Sequence, residues 1–130
     1  MNDLQQFHST ANAFLAAVGL PEEVFERNQD SFIINVESRF TVRMSIDGSG
    51  IYLLEGDWVD GLNPDGLHGD WLMANQICPG AIQPVLALNE SGNLTCWLRM
   101  LGGVEDVNEL VEAFDMLLGR MDQLTPNEQA

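Results

Sequence analysis

The sequence contains no lysine, and its five basic residues, Arg27, Arg39, Arg43, Arg99 and Arg120, stand against 20 acidic ones, for a formal net charge of −15. Phosphate backbones and anionic membranes are both held by clustered Lys and Arg. Here the arginines are scattered among acidic neighbours, so no basic patch forms from residues adjacent in sequence, and neither nucleic acid nor a membrane is expected as a partner. Without lysine there is also no P-loop lysine and no Schiff base. Cysteine is scarce: Cys78 and Cys96 are far apart in sequence and form no Cys-x-x-Cys pair. The only histidines, His8 and His68, have no Cys or His at ligand spacing, which argues against zinc. No apolar run approaches the roughly 20 residues that cross a bilayer, and Met1-Asn2-Asp3-Leu4 lacks the basic start of a signal peptide. The expectation is a cytoplasmic protein.

What is present suits one domain. A chain of 130 residues buries enough surface to hold a core without disulfide or metal. Leu4, Phe7, Ala11, Phe14, Leu15 and Val18 fall at the spacing of a helical stripe over 4–18, and Gly19 and Pro21 end it. The period then changes to two. Phe32, Ile34 and Val36, and after them Phe40, Val42, Met44 and Ile46, read as two strands. Asp47-Gly48-Ser49-Gly50 supplies residues that tolerate positive φ, and Ile51 to Glu55 follows as a third strand. Gly56 to Gly69, rich in Gly, Asp, Asn and Pro, reads as a loop into a short helix over Asp70 to Ile77, before Pro79-Gly80. Ile82 to Leu88 and Leu94 to Leu101 form two more strands around Asn89-Glu90-Ser91-Gly92-Asn93. Val104, Val107, Leu110, Val111, Phe114, Leu117, Leu118 and Met121 then make the strongest helical stripe, with Glu105 and Asp106 in its first turn and Arg120 in its last. The expected order is α-β-β-β-α-β-β-α, an α+β fold in which a twisted antiparallel sheet packs on helices. Residues 1–124 form the domain and 125–130 a flexible tail.

The chemistry-bearing patterns fail one by one. No Gly-x-x-x-x-Gly-Lys and no Gly-x-Gly-x-x-Gly after a strand is present. The acidic loop from Asp57 to Gly66 invites calcium, since hard cations want several oxygens close together. Its spacing disagrees: setting Asn63, Asp65 and Gly66 at the third, fifth and sixth EF-hand positions puts Gly61 first and Leu72 last. Glu22, Glu23 and Glu26 have no neighbour that would raise a pKa, so they read as a wet surface. The sequence therefore predicts no enzyme, no cofactor and no metal.

More apolar surface remains than one core uses. On strand faces that should meet water stand Ile33, Ile51, Leu53, Trp97 and Leu101. Contiguous apolar patches on an acidic domain point to protein contacts. A helix covering each sheet face would account for the same residues.

Size, acidity and element order, together with Gly19-Leu20-Pro21, Leu72-Met73-Ala74-Asn75-Gln76 and Leu94-Thr95-Cys96-Trp97-Leu98-Arg99, resemble the class I chaperones of bacterial type III secretion, the CesT-like group. The resemblance covers about residues 4 to 122. It implies a homodimer that holds an N-terminal segment of a secreted effector extended and unfolded, and it brings in the secretion ATPase as a further partner. On that reading Phe7, Leu15, Phe32, Ile33, Ile34, Val36, Ile51 and Leu53 contact the effector, and Trp71, Leu72, Ile82, Leu86 and Trp97 form the dimer contact. Each of these residues could instead be ordinary core. Two rivals stand beside it: a non-catalytic adaptor or regulatory domain that binds a folded partner, and a ligand- or calcium-binding domain using the loop from Asp57 to Asp70.

Overall fold

A computed structural model describes residues 3–67, 83–100, 104 and 106–125. Helix α1 (Asp3–Ala17) buries Phe7, Ala11, Phe14 and Leu15, the predicted stripe. It ends in a Schellman motif: Leu20 N–H donates to Leu15 O at 2.8 Å and Gly19 N–H to Ala16 O at 3.2 Å. That geometry needs a left-handed residue at position 19, and Gly19 supplies it at φ 79°. The chain then runs back along α1, fastened by Asn12, whose side chain accepts from Glu23 N–H and donates to Glu23 O. His8 Nε2 lies 2.7 Å from Gln29 O, and its ring stacks on Phe25 at 4.4 Å, so this histidine is a structural tie.

Five antiparallel strands follow: β1 (Ser31–Val36), β2 (Phe40–Ile46), β3 (Tyr52–Trp58), β4 (Val85–Leu88) and β5 (Leu94–Met100), ordered β1-β2-β3-β5-β4 across the sheet. β-Branched and aromatic residues at alternate positions build them. The β2–β3 turn is closed by Asp47, whose Oδ1 accepts from Ser49 and Ile51 N–H, an Asx arrangement that the sequence signalled. Helix α2 (Val107–Leu124) starts at Asp106, whose side chain accepts from Asn108 N–H as an N-cap. A 3-10 turn, Pro64–Leu67, stands after β3.

Both helices cover the same face of the sheet. Phe7 packs on Phe32 and Tyr52, and Phe14 meets Phe114 edge-on at 5.2 Å, which closes α1 against α2. Beneath them lies the core of Ile34, Phe40, Val42, Met44, Leu54, Leu94, Cys96 and Leu98. At one end Arg39 pairs with Asp122, and Trp58 Nε1 donates to Thr125 Oγ1 at 2.9 Å, so the end of α2 is tied to the sheet.

Three expectations change. β3 continues through Gly56 to Trp58, because Gly56, Asp57 and Trp58 pair with Val42, Thr41 and Phe40; glycine and aspartate content suggested a loop too early. Helix α2 begins at Val107, with Asp106 as its cap, and runs to Leu124, which puts Arg120 a turn before its end. The fourth expected strand, Ile82 to Leu88, is described as a strand over Val85–Leu88. The helix expected over 70–77, with His68 and Cys78, lies outside the described residues.

Candidate functional site

The register fixes what each sheet face carries. Opposite the helices, one row across the strands reads Ile33, Arg43, Glu55, Trp97, Val85. The row on one side holds Ser31, Ser45, Leu53 and Arg99, and the row on the other holds Asn35, Thr41, Asp57, Thr95 and Ala87. Ile33 is 54% exposed. Ile51, Leu53 and Trp97 are half-buried and, with Ser45, Glu55 and Arg99, line a shallow concavity of about 420 Å³. Arg99 extends over the Trp97 ring at 6.0 Å. This face, which no described helix covers, joins apolar side chains to charges of both signs.

The second surface is the edge of β1, which pairs only with β2 among the described strands. Ile46 N–H donates to Asp30 O at 3.0 Å, which makes positions 30 and 46 a hydrogen-bonded pair. Antiparallel pairs alternate, so the main-chain N–H and C=O groups of Ser31, Ile33 and Asn35 point away from β2. Ser31 O already accepts from Gln29 Nε2 at 2.9 Å, so the groups left to template another strand are those of Ile33 and Asn35.

The predicted contact residues divide by burial. Ile33 is exposed, and Val36, Ile51 and Leu53 are half-buried. Phe7, Leu15, Phe32 and Ile34 are buried in the core under the helices, where an incoming chain does not reach them without opening the fold. Of the residues assigned to a dimer contact, Leu86 is buried on the helix side and Trp97 stands on the face opposite the helices, so the sheet separates the two. Trp71, Leu72 and Ile82 lie outside the described residues. Sequence reasoning missed Arg43 and Glu55. Their alternation with Val42, Met44 and Leu54 signalled the face, but only the register makes them neighbours.

Among the described residues, no group of three or more His, Cys, Asp or Glu side chains is placed to hold a metal ion. Burial pushes the Cys96 thiol up to about 12 against a small opposing pull from Arg120, which makes it a poor nucleophile. No described helix is long and apolar enough to cross a membrane.

No known protein family and no curated protein matches the sequence. Solved structures do match the fold. The Yersinia pestis type III secretion chaperone SycH, solved in complex with a stable fragment of YscM2, superposes with a TM-score of 0.69 at 14% identity, over 92% of this chain and 99% of that one. A chain of the HopA1–SchA chaperone–effector complex gives 0.70 at 19% identity, over 90% and 91%. A chain of the heterodimeric ExoU–SpcU complex from the type III secretion system of Pseudomonas aeruginosa gives 0.66 at 23%, over 87% and 93%. These matches run over most of both chains. The chain has the fold of the class I type III secretion chaperones.

Proposed function

We propose that this protein is a type III secretion chaperone: it binds an N-terminal segment of a secreted effector, keeps that segment extended, and hands it to the secretion apparatus and its ATPase. It works in the cytoplasm as a homodimer and catalyses nothing. The observation that carries this reading is the outward row of main-chain groups at Ile33 and Asn35. An extended peptide adds there as a further strand, gaining ladder hydrogen bonds, and places alternate side chains beside Ile33 and toward Ile51 and Leu53. Such recognition needs apolar strand surface and no reacting group. Ordering a disordered segment costs part of the interaction energy, so the client must bury a large surface. An acidic exterior keeps a protein with open apolar faces from associating indiscriminately.

The solved relatives in chaperone–effector complexes support the reading through their shared fold. The direct test is to purify the protein from its host while secretion is induced, digest lightly with protease, and identify any protected fragment by mass spectrometry. A protected segment from near the N-terminus of one export-destined protein is the expected result. Recovery of an intact, folded partner would overturn the reading in favour of an adaptor domain.

A further inference from the structure

The strand edge proposed to receive a client is closed at one end. Just before β1 the chain makes a turn in which Gln29 N–H donates to Glu26 O at 3.1 Å. The Gln29 side chain bridges this turn to the strand: its Oε1 accepts from Glu26 N–H at 3.1 Å, and its Nε2 donates to Ser31 O at 2.9 Å. His8 of α1 holds the same residue, with Nε2 2.7 Å from Gln29 O. All four polar groups of Gln29 are therefore bonded, and its carboxamide is fixed between the turn and β1. A carboxamide offers the donor and acceptor types of a peptide unit. Its contact with Ser31 O has the length of an ordinary main-chain ladder bond. Gln29 thus makes the contact that the main chain of an added strand would otherwise make.

We propose that Gln29 is the register stop of this edge: it confines a client strand to Ile33 and Asn35 and turns the client away before Ser31. The proposal rests on the strand addition in the function proposed above and says where that strand ends. The outward positions of β1 are Ser31, Ile33 and Asn35. Side chains alternate with a period of two, so a client displaced by two residues keeps the same side chains on each face and loses little. Without a stop it could pair at 31 and 33 as readily as at 33 and 35. With Ser31 O occupied, the first register presses a client N–H against the carboxamide with no acceptor, which costs more than a hydrogen bond gains. Only the second register satisfies both chains. In antiparallel addition it sets one client residue opposite Ile33, whose exposed side chain favours an apolar or β-branched neighbour. A second client residue, two positions away, falls opposite the exposed Asn35, where a polar side chain is tolerated. Gln29 is in this sense a specificity residue that acts by what it occupies.

The probe is the protease-protected client fragment of the test above, prepared as a synthetic peptide and added to the full chain. Amide hydrogen exchange is read residue by residue by NMR in the free and bound protein. In the wild type, exchange at Ile33 and Asn35 is expected to slow by about tenfold or more on binding, and at Ser31 by less than about twofold. Gln29→Glu keeps an acceptor for Glu26 N–H and removes the donor to Ser31 O. In this variant Ser31 is expected to join the protected set, slowing by about tenfold as well. Gln29→Ala removes both side-chain bonds and serves as the second variant should the first fail to fold, which circular dichroism reads. A merely structural Gln29 would speed exchange in the free variants without adding Ser31 to the client footprint. Protection of Ser31 in the wild type, or the same footprint in wild type and variants, would overturn the proposal and leave the client on this edge. Absence of a protected fragment, or a fragment that leaves Ile33 and Asn35 unprotected, counts against strand addition itself, and the stop falls with it.

Discussion

At Gly56 a side chain would collide with the helix above. A Cβ built there falls 2.5 Å from Met121 Sδ and 3.4 Å from Leu117 Cδ2, so the residue is glycine because α2 rests directly on β3. Gly56→Ala is expected to lower stability by about 1–3 kcal/mol through overpacking. The same change in a Met121→Ala background should cost clearly less, since the obstructing atom is gone; denaturant titration of the four proteins of the cycle measures the coupling. Equal costs in the two backgrounds would mean that the helix moves as a unit instead. Cys96, facing the same core, tests burial differently. Its thiol is raised from 9.0 to about 12, mainly by desolvation. Above pH 9 the unfolded chain therefore loses this proton first, binds fewer protons than the native state, and is favoured. Stability should fall by up to about 1.4 kcal/mol per pH unit in that range, and Cys96→Ala should show a flatter decline when urea midpoints are compared across alkaline pH.

The β1–β2 connection is an element built against local preference. Arg39 N–H donates to Val36 O at 2.9 Å, and the two central residues, Glu37 and Ser38, have φ of 52° and 61°. Both lie in the left-handed region that the favoured hairpin turn requires, where a Cβ costs roughly 1 kcal/mol or more. Replacing Glu37-Ser38 by Asn-Gly should raise the thermal midpoint by a few degrees, since the lost Glu37–Arg39 pair is exposed and contributes little. The strand that precedes this turn carries the functional prediction. Asn35 presents its N–H outward, so Asn35→Pro removes one donor from the free edge without breaking a β1–β2 bond, as edge strands tolerate. Client affinity should drop about tenfold with circular dichroism unchanged; unaltered affinity would place the client elsewhere. Both elements show where the sequence was legible. Period-two alternation in Phe32–Val36 and Phe40–Ile46 marked the strands because one face is buried and the other wet. The turn between them carried no Asn-Gly to announce it, and the extension of β3 through Gly56 was hidden because glycine there answers to Met121, a residue 65 positions further on. The face opposite the helices was legible in Ile33, Leu53 and Trp97, whereas the Arg43–Glu55 row depends on strand order, which alternation does not encode.

Over the whole molecule, charge works against compactness. With a net charge of −15, folding gathers 20 carboxylates into one small volume, and the repulsion among them opposes the native state. Favourable pairs do little to offset it: among the described residues the salt bridges are those of Arg39 with Glu37 and Asp122, all partly or largely exposed. Salt screens both kinds of interaction, shortening the Debye length from about 30 Å at 0.01 M to about 3 Å at 1 M. Short-range contacts within a pair survive that change better than repulsion summed over many distant charges. The thermal midpoint should therefore rise as sodium chloride increases across that range. A midpoint that falls with added salt would mean that specific attractive pairs outweigh the global repulsion. In that case the acidity would be a structural asset of the fold, and its role would not be confined to solubility.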